Sequence, residues 1–348
     1  MTAGGRATSE DASEEHQLER RRRLLFLGPH LAPTLRTAIE QMGFEVAATP
    51  ADPPGAWHDD LASADVIFAD WTGRRRLGEA EAIAATRAAF VQQLAVGLDT
   101  IDLQAWADRK VPVANAAGAN ASSVAEWCVA SAFITLRSIA WADNEMRHGG
   151  WPLDAVIARG CHELASRRVG IVGLGAVGTE CARRFRALGC DVSYWNRHRR
   201  DAEREAGATY LGLDDLCERS EIIVVAVALT VDTHRLIDAE RLAVMPTGSI
   251  VINAARGEVL DESALLDAIR SSHLGGAALD VFSTEPLDPV SPLRSEDRIL
   301  LSPHSASSTI EAVERIGQVA MANLRHALAG EPLDHVQNAT SPLPSWKD

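Results

Sequence analysis

No stretch of this chain is apolar for long enough to cross a bilayer. The longest such run, residues 222–229, falls far short of the roughly 20 residues that a spanning helix needs. A signal peptide is not expected either. Arg20 to Arg23 precede an apolar run, but residues 24–27 are too few for a hydrophobic region, and Gly28 and Pro29 end it. Cysteine is sparse, with five residues: Cys128, Cys161, Cys181, Cys190 and Cys217. No two make a CxxC pair and none joins a ligand cluster with histidine, so no metal site is expected and reduced thiols of a cytoplasmic protein are. Positive charge is in deficit. A formal net charge of −14 argues against nucleic acid or an anionic membrane as the partner. It leaves room for an anionic substrate in a locally positive pocket.

What is present fits a two-domain globular chain. Its 348 residues exceed one typical domain, and 46% hydrophobic residues supply a core without help from metals or disulfides. The polar start is set aside as a disordered leader, residues 1–22. Residues 24–27, 44–47 and 64–69 read as strands, with helices over 33–42 and 59–63. Ser123 and Glu126 match a capping box, predicting a helix from there through Cys128, Phe133 and Leu136 towards Met146. From Arg168 the alternation is clearer. Strands are expected at 169–172, 191–195, 222–227, 249–253, 277–281 and 299–302, with helices at 177–188, 261–271 and 309–329. Such alternation implies βαβ units and a parallel, doubly wound sheet.

The strongest motif is Gly173, Leu174, Gly175, Ala176, Val177, Gly178. It follows a strand and opens a helix, the context that turns a GxGxxG into a dinucleotide loop. The first glycine permits the turn, the second lets backbone approach a pyrophosphate, and the third packs helix on strand. Val227 and Ala254, just past later strands, are expected along the same cofactor. After the second strand, where an acid would bind a ribose 2′-OH, stands Asn196, followed by Arg197, His198, Arg199 and Arg200. An acid would repel a 2′-phosphate; Asn does not, and Arg197 and Arg199 can pair with it. NADPH is therefore expected over NADH, with NAD as the lesser cofactor. A solvated basic turn is the bland alternative.

Arg256 and His304 lie just past expected strands and Glu285 a few residues beyond one, where open α/β sheets bind ligands. Reduction of a 2-oxo acid needs a hydride at C2 and a proton on the oxygen. His304 is suited to give that proton. A carboxylate at Glu285 would orient the ring and raise its pKa. Arg256 would grip the substrate carboxylate and polarise the carbonyl. Reduction should then fade as pH rises through the histidine's pKa. Taken singly, each of the three is more simply a surface ion pair.

With these motifs, residues 24–335 closely resemble the D-isomer-specific 2-hydroxyacid dehydrogenase family. The resemblance implies a Rossmann domain, residues 119–305, and a discontinuous flavodoxin-like α/β substrate domain, residues 23–118 and 306–348. It implies that Arg256, Glu285 and His304 are the catalytic set, that Asp280 meets the nicotinamide amide, that backbone at Val96 and Gly97 holds the substrate carboxylate, and that the protein is a homodimer. The sequence departs from the family at Ala228, where Pro is common, and at Ser305, where an aliphatic residue is commoner. Trp71 faces the substrate's far end in the family's arrangement and would narrow the pocket or stack on a larger group. Asp70 would repel a phosphate dianion, and no regulatory domain is added, so phosphoglycerate is disfavoured. Arg74 to Arg76 read as a solvated helix start. A small 2-oxo acid such as glyoxylate or hydroxypyruvate is the expected substrate. The rivals are a bulkier 2-oxo acid and a non-catalytic dinucleotide sensor or corepressor on the same fold.

Overall fold

Runs of Ile, Val and Leu flanked by Gly and polar residues form parallel strands through most of this chain. The computed structural model describes residues 20–48 and 57–347. Residues 1–19 of the expected leader lie outside them, whereas Arg22, assigned to that leader, already opens the first strand. The chain divides into two units. One holds the residues up to Ala116 and from Gly317 onward, the other Ala117–Ile316. The division falls within the last helix.

The first unit carries strands β1 (Arg22–Phe26), β2 (Phe44–Ala48), β3 (Val66–Ala69), β4 (Phe90–Gln93) and β5 (Val113–Ala114). They form one parallel sheet in the order β2-β1-β3-β4-β5, the flavodoxin-like order. Helices α1 (Pro33–Gln41), α2 (His58–Leu61), α3 (Glu79–Ala84) and α4 (Leu103–Asp108) connect them. Leu25, Leu27, Ile67, Val91 and Trp106 share the core. The strand β4 was not expected: half of it is Gln92 and Gln93, buried polar residues that break the apolar pattern. Arg74 to Arg76 start no helix. They lie in a turn, and the Arg75 guanidinium donates to the Leu27 carbonyl.

In the second unit seven parallel strands take the order β12-β11-β10-β9-β6-β7-β8. They are β6 (Arg168–Val172), β7 (Asp191–Trp195), β8 (Thr209–Tyr210), β9 (Ile222–Val225), β10 (Ile250–Asn253), β11 (Gly276–Leu279) and β12 (Ile299–Leu301). Reversal of order between β6 and β9 makes the switch point of a doubly wound sheet. Alternate residues serve opposite faces. Val169, Ile171, Ile222 and Val224 pack with Phe185 on one side, while Val172, Ile223 and Val225 pack with Leu265 and Ile269 on the other. Burial on both faces is why these strands read as continuous apolar runs. Two-residue β8 is too short to leave such a run.

The helices here are α5 (Ala121–Leu136), α6 (Ile139–Arg147), α7 (Leu153–Ala158), α8 (Ala176–Ala187), α9 (Leu213–Arg219), α10 (Ala239–Val244) and α11 (Glu262–Arg270), and the first turns of α12 (Ile310–Ala329), whose remainder belongs to the first unit. The expected capping box at Ser123 does not form. The helix α5 starts earlier, and the Ser123 hydroxyl bonds Thr309 instead. Nor does one helix reach Met146: the chain breaks at Ser138, which takes a left-handed φ of 50°. Asp261 caps α11 through its bond from the Ala264 N–H, 3.0 Å. No single helix among the described residues is long and apolar enough to cross a membrane.

Candidate active site

The glycine loop joins β6 to α8. Gly173 has φ +101°, and a Cβ there would lie 2.7 Å from the Ala226 carbonyl oxygen and 2.9 Å from Cα of Val227. A Cβ on Gly178 would lie 2.0 Å from the Gly173 carbonyl. Both glycines are fixed by the protein's own packing. At Gly175 the same Cβ would meet nothing within 4 Å. Space, not packing, is what this glycine keeps open, and a pyrophosphate at the loop needs that space. No side chain caps α8, so the N–H groups of its first turn, at Ala176, Val177 and Gly178, face an anion site with a favourable dipole. The loop thus fits a dinucleotide. A cleft of about 470 Å³ runs beside it, lined by Gly118, Ala121, Gly175, Ala176, Arg200 and Arg204 among others.

The turn after β7 is bound to this loop by contacts that the sequence did not reveal. Asn196 Oδ1 accepts the Leu174 N–H at 2.7 Å, and Arg200 Nε donates to the Leu174 carbonyl at 3.1 Å. Leu174 of the glycine loop is thus held through both its N–H and its carbonyl. The two arginines singled out for a 2′-phosphate differ. Arg199 is engaged by Glu205 at 2.8 Å, an oxygen that also accepts from buried Tyr194. Among the described residues Arg197 meets only Asp232, at 3.4 Å, and both are well exposed.

Arg256, Glu285 and His304 belong to turns beyond β10, β11 and β12. These strands are neighbours, with Asn253, Leu279 and Leu301 in register at their ends. Each of the flanking turns is folded on a buried polar side chain. Asn253 accepts the Ala255 N–H and donates to the Arg256 carbonyl, both at 3.0 Å. Asp280, 2% exposed, accepts from Ser302 Oγ and from the N–H groups of Ser305 and Ala306 (both 2.8 Å), while its carbonyl takes the His304 N–H at 2.7 Å. His304 is thereby held at φ +52°, a left-handed backbone that persists only where its surroundings impose it. Gly257 matters for a different reason: a Cβ there would come within 1.9 Å of the Phe282 carbonyl carbon. Only glycine lets the Arg256 turn lie against the segment leading to Glu285.

The His304 Nδ1–H donates to Glu285 Oε2 at 2.8 Å, and Glu285 Oε1 accepts the Phe282 N–H at 3.0 Å. The hydrogen bond to Glu285 raises the histidine's pKa above its ordinary value. Burial and the nearby Arg256 charge work against this, and the Glu285 and Asp280 charges work with it. Burial presses the Glu285 carboxyl upward, but His304, the Phe282 N–H and Arg256 outweigh it and leave the pKa lowered. Asp280 is named by the family resemblance for a cofactor amide. Its carboxylate folds the histidine turn, a use visible only once residues 302–306 are seen wrapped around it.

Trp71, Val96 and Gly97 belong to the first unit. Trp71 is 41% exposed and packs over Gly28 and Phe26, the rings 5.8 Å apart. Neighbouring Asp70 is buried. Its oxygens accept from the Thr72 N–H and hydroxyl and from the Arg75 N–H. This carboxylate closes its own turn. Val96 and Gly97 are half-buried in the loop after β4. All five cysteines are unpaired, burial pushing the Cys217 thiol up to about 12. Among the described residues no group of His, Cys, Asp and Glu could hold a metal.

Residues 129–306 match the model of the D-isomer specific 2-hydroxyacid dehydrogenase, NAD binding domain. A glyoxylate reductase of Thermofilum pendens is 37% identical over 252 residues, 71% of this chain and 74% of that protein. A D-3-phosphoglycerate dehydrogenase of Mycobacterium tuberculosis is 38% identical over 73% of this chain, but only 48% of its own length is spanned. Among solved structures, an NADPH-dependent glyoxylate/hydroxypyruvate reductase of Sinorhizobium meliloti, in complex with NADP and malonate, superposes with a TM-score of 0.80 at 26% identity, covering 94% of this chain and 100% of the other.

Proposed function

The chain belongs to the D-isomer-specific 2-hydroxyacid dehydrogenase family of NAD(P)-dependent oxidoreductases, and on that premise we propose that it reduces a small 2-oxo acid, glyoxylate or hydroxypyruvate, with NADPH preferred over NADH. The observation that carries this reading is the His304–Glu285 pair, 2.8 Å apart, joining the turns after β11 and β12, next to the turn after β10 that bears Arg256. Nδ1 faces Glu285, so the proton for the substrate's C2 oxygen leaves from Nε2, and Glu285 steadies the imidazolium before transfer. Arg256 holds the carboxylate and draws charge onto the carbonyl oxygen. A bound reduced nicotinamide supplies the hydride. In the oxidative direction His304 takes the proton back.

The cofactor preference rests on the turn after β7. No acid stands there. Asn196 spends its oxygen on Leu174, and its amide N–H groups have no acceptor among the described residues. Arg197, held among the described residues by an exposed and therefore weak pair with Asp232, is the arginine offered to a 2′-phosphate. The Sinorhizobium relative, named as NADPH-dependent, supports the same choice. Asp280, Val227 and Ala254 would line the cofactor, and Trp71, Val96 and Gly97 the substrate. Five unpaired thiols fit a reducing cytoplasm. Trp151, Leu153 and Ile157, large apolar side chains exposed at and beside α7, fit a homodimer surface.

Initial rates with NADPH and NADH against glyoxylate, hydroxypyruvate, phosphohydroxypyruvate, pyruvate and an aromatic 2-oxo acid test the whole reading. Fastest turnover of a small acid with NADPH supports it. A phosphorylated or aromatic acid turned over fastest replaces the substrate. Tight cofactor binding with no turnover would instead favour a dinucleotide sensor.

A further inference from the structure

In the loop after β4, four successive carbonyls are all occupied. Ala95 accepts from the Ala116 N–H at 3.0 Å, Val96 from the Asn115 side-chain amide at 2.7 Å, Gly97 from the Gln93 side-chain amide at 3.1 Å, and Leu98 from the Ile101 N–H at 2.9 Å. In a trans peptide the N–H points opposite to the C=O. The sole cis bond among the described residues is Glu285–Pro286, elsewhere in the chain. The first three of these carbonyls are drawn toward one support, the end of β4 and the residues just past β5, which are paired strands. The N–H groups of Val96, Gly97 and Leu98 are therefore turned away from that support. None has an acceptor among the described residues. Three successive N–H groups on half-buried backbone make an anion cradle.

The two side chains responsible are not casual. Gln93 and Asn115 are each 3% exposed, and Gln93 Oε1 and Asn115 Oδ1 are buried without a donor among the described residues. An unmet buried acceptor costs stability. Turning either amide over would not repair this, since its oxygen would then face a carbonyl oxygen. Both side chains are retained as donors, at the expense of their acceptors.

We propose that Gln93 and Asn115 are positioning residues that aim the N–H groups of Val96, Gly97 and Leu98 at the carboxylate of the 2-oxo acid. The inference rests on the substrate class proposed above and adds the residues that set its affinity. Gln93→Met and Asn115→Leu keep the shape and remove the donor. With NADPH-saturated enzyme, KM for glyoxylate and the dissociation constant of oxamate, an unreactive carboxylate analogue, should rise about 10- to 100-fold. Fall in kcat should be much smaller, and NADPH affinity should hold. Unchanged oxamate affinity in folded variants overturns the proposal. Should the variants fail to fold, backbone amide signals of wild-type enzyme with NADPH decide it: oxamate must move those of Val96, Gly97 and Leu98. Oxamate that leaves all three unmoved overturns the cradle, even if glyoxylate is turned over. Oxamate that moves them in a protein inactive on every 2-oxo acid supports the cradle and sinks the proposed activity instead.

Discussion

Glu285 Oε2 stands 2.8 Å from Nδ1 of His304, which leaves Nε2 as the ring nitrogen through which the proposed proton exchange with substrate would pass. Because the pair raises the histidine's pKa, the protonated, reducing form persists to higher pH than a free histidine would allow. Reduction should be full below that pKa and fade as pH rises through it; oxidation should show the reverse. Glu285→Gln removes the largest cause of the shift, so the fading limb of kcat/KM should move to lower pH. An unmoved limb would mean that another group titrates. His304→Gln should lower kcat about 10²- to 10⁴-fold, the usual worth of a positioned proton donor.

Arg197→Ala should cost NADPH far more than NADH, with the ratio of their kcat/KM values falling about tenfold or more, one charge-assisted contact's worth. Arg199→Ala should change that ratio less, since Arg199 is tied to Glu205. Equal loss for both cofactors on changing Arg197 would remove the 2′-phosphate argument.

Gly257→Ala forces a methyl into the Phe282 backbone. A loss of about 1–3 kcal/mol in unfolding free energy is expected from overpacking, together with lost activity as the Arg256 turn is pushed off. Denaturant melts read the first and steady-state rates the second. A stable, fully active variant would show that the turn can move.

Sedimentation should find a dimer for the wild-type protein. Replacing Trp151 and Ile157 with Ser should shift it toward monomer, because both side chains are open to solvent in one copy. A monomer in the unmodified protein would leave that apolar patch unexplained.

The doubly wound sheet was legible because its strands are buried on both faces and its helices begin and end on glycines and caps. The glycine loop and the order of Arg256, Glu285 and His304 could be read for the same reason: each follows a strand that declares itself. What escaped was polar and buried. Gln92 and Gln93 disguised β4, Asn253 drew no notice, and Asp280 was read only as a contact of the cofactor, although Asn253 and Asp280 fold the turns around them. Asp70 was counted only as a pocket charge, although its carboxylate also closes its own turn. Side-chain bonds to backbone several residues away leave no period in a sequence, so propensity and pattern pass over them.

Asn253, Leu279 and Leu301 lie in register at the ends of three adjacent strands, so Arg256 and His304 each stand three residues past an aligned position. Geometry at the reacting groups is inherited from strand pairing deep in the sheet. A one-residue insertion in β11 would misalign acid, carboxylate and cation together, although no residue of the trio had changed. Substitutions meant to spare the trio are therefore best kept out of β10, β11 and β12, whose pairing sets that alignment.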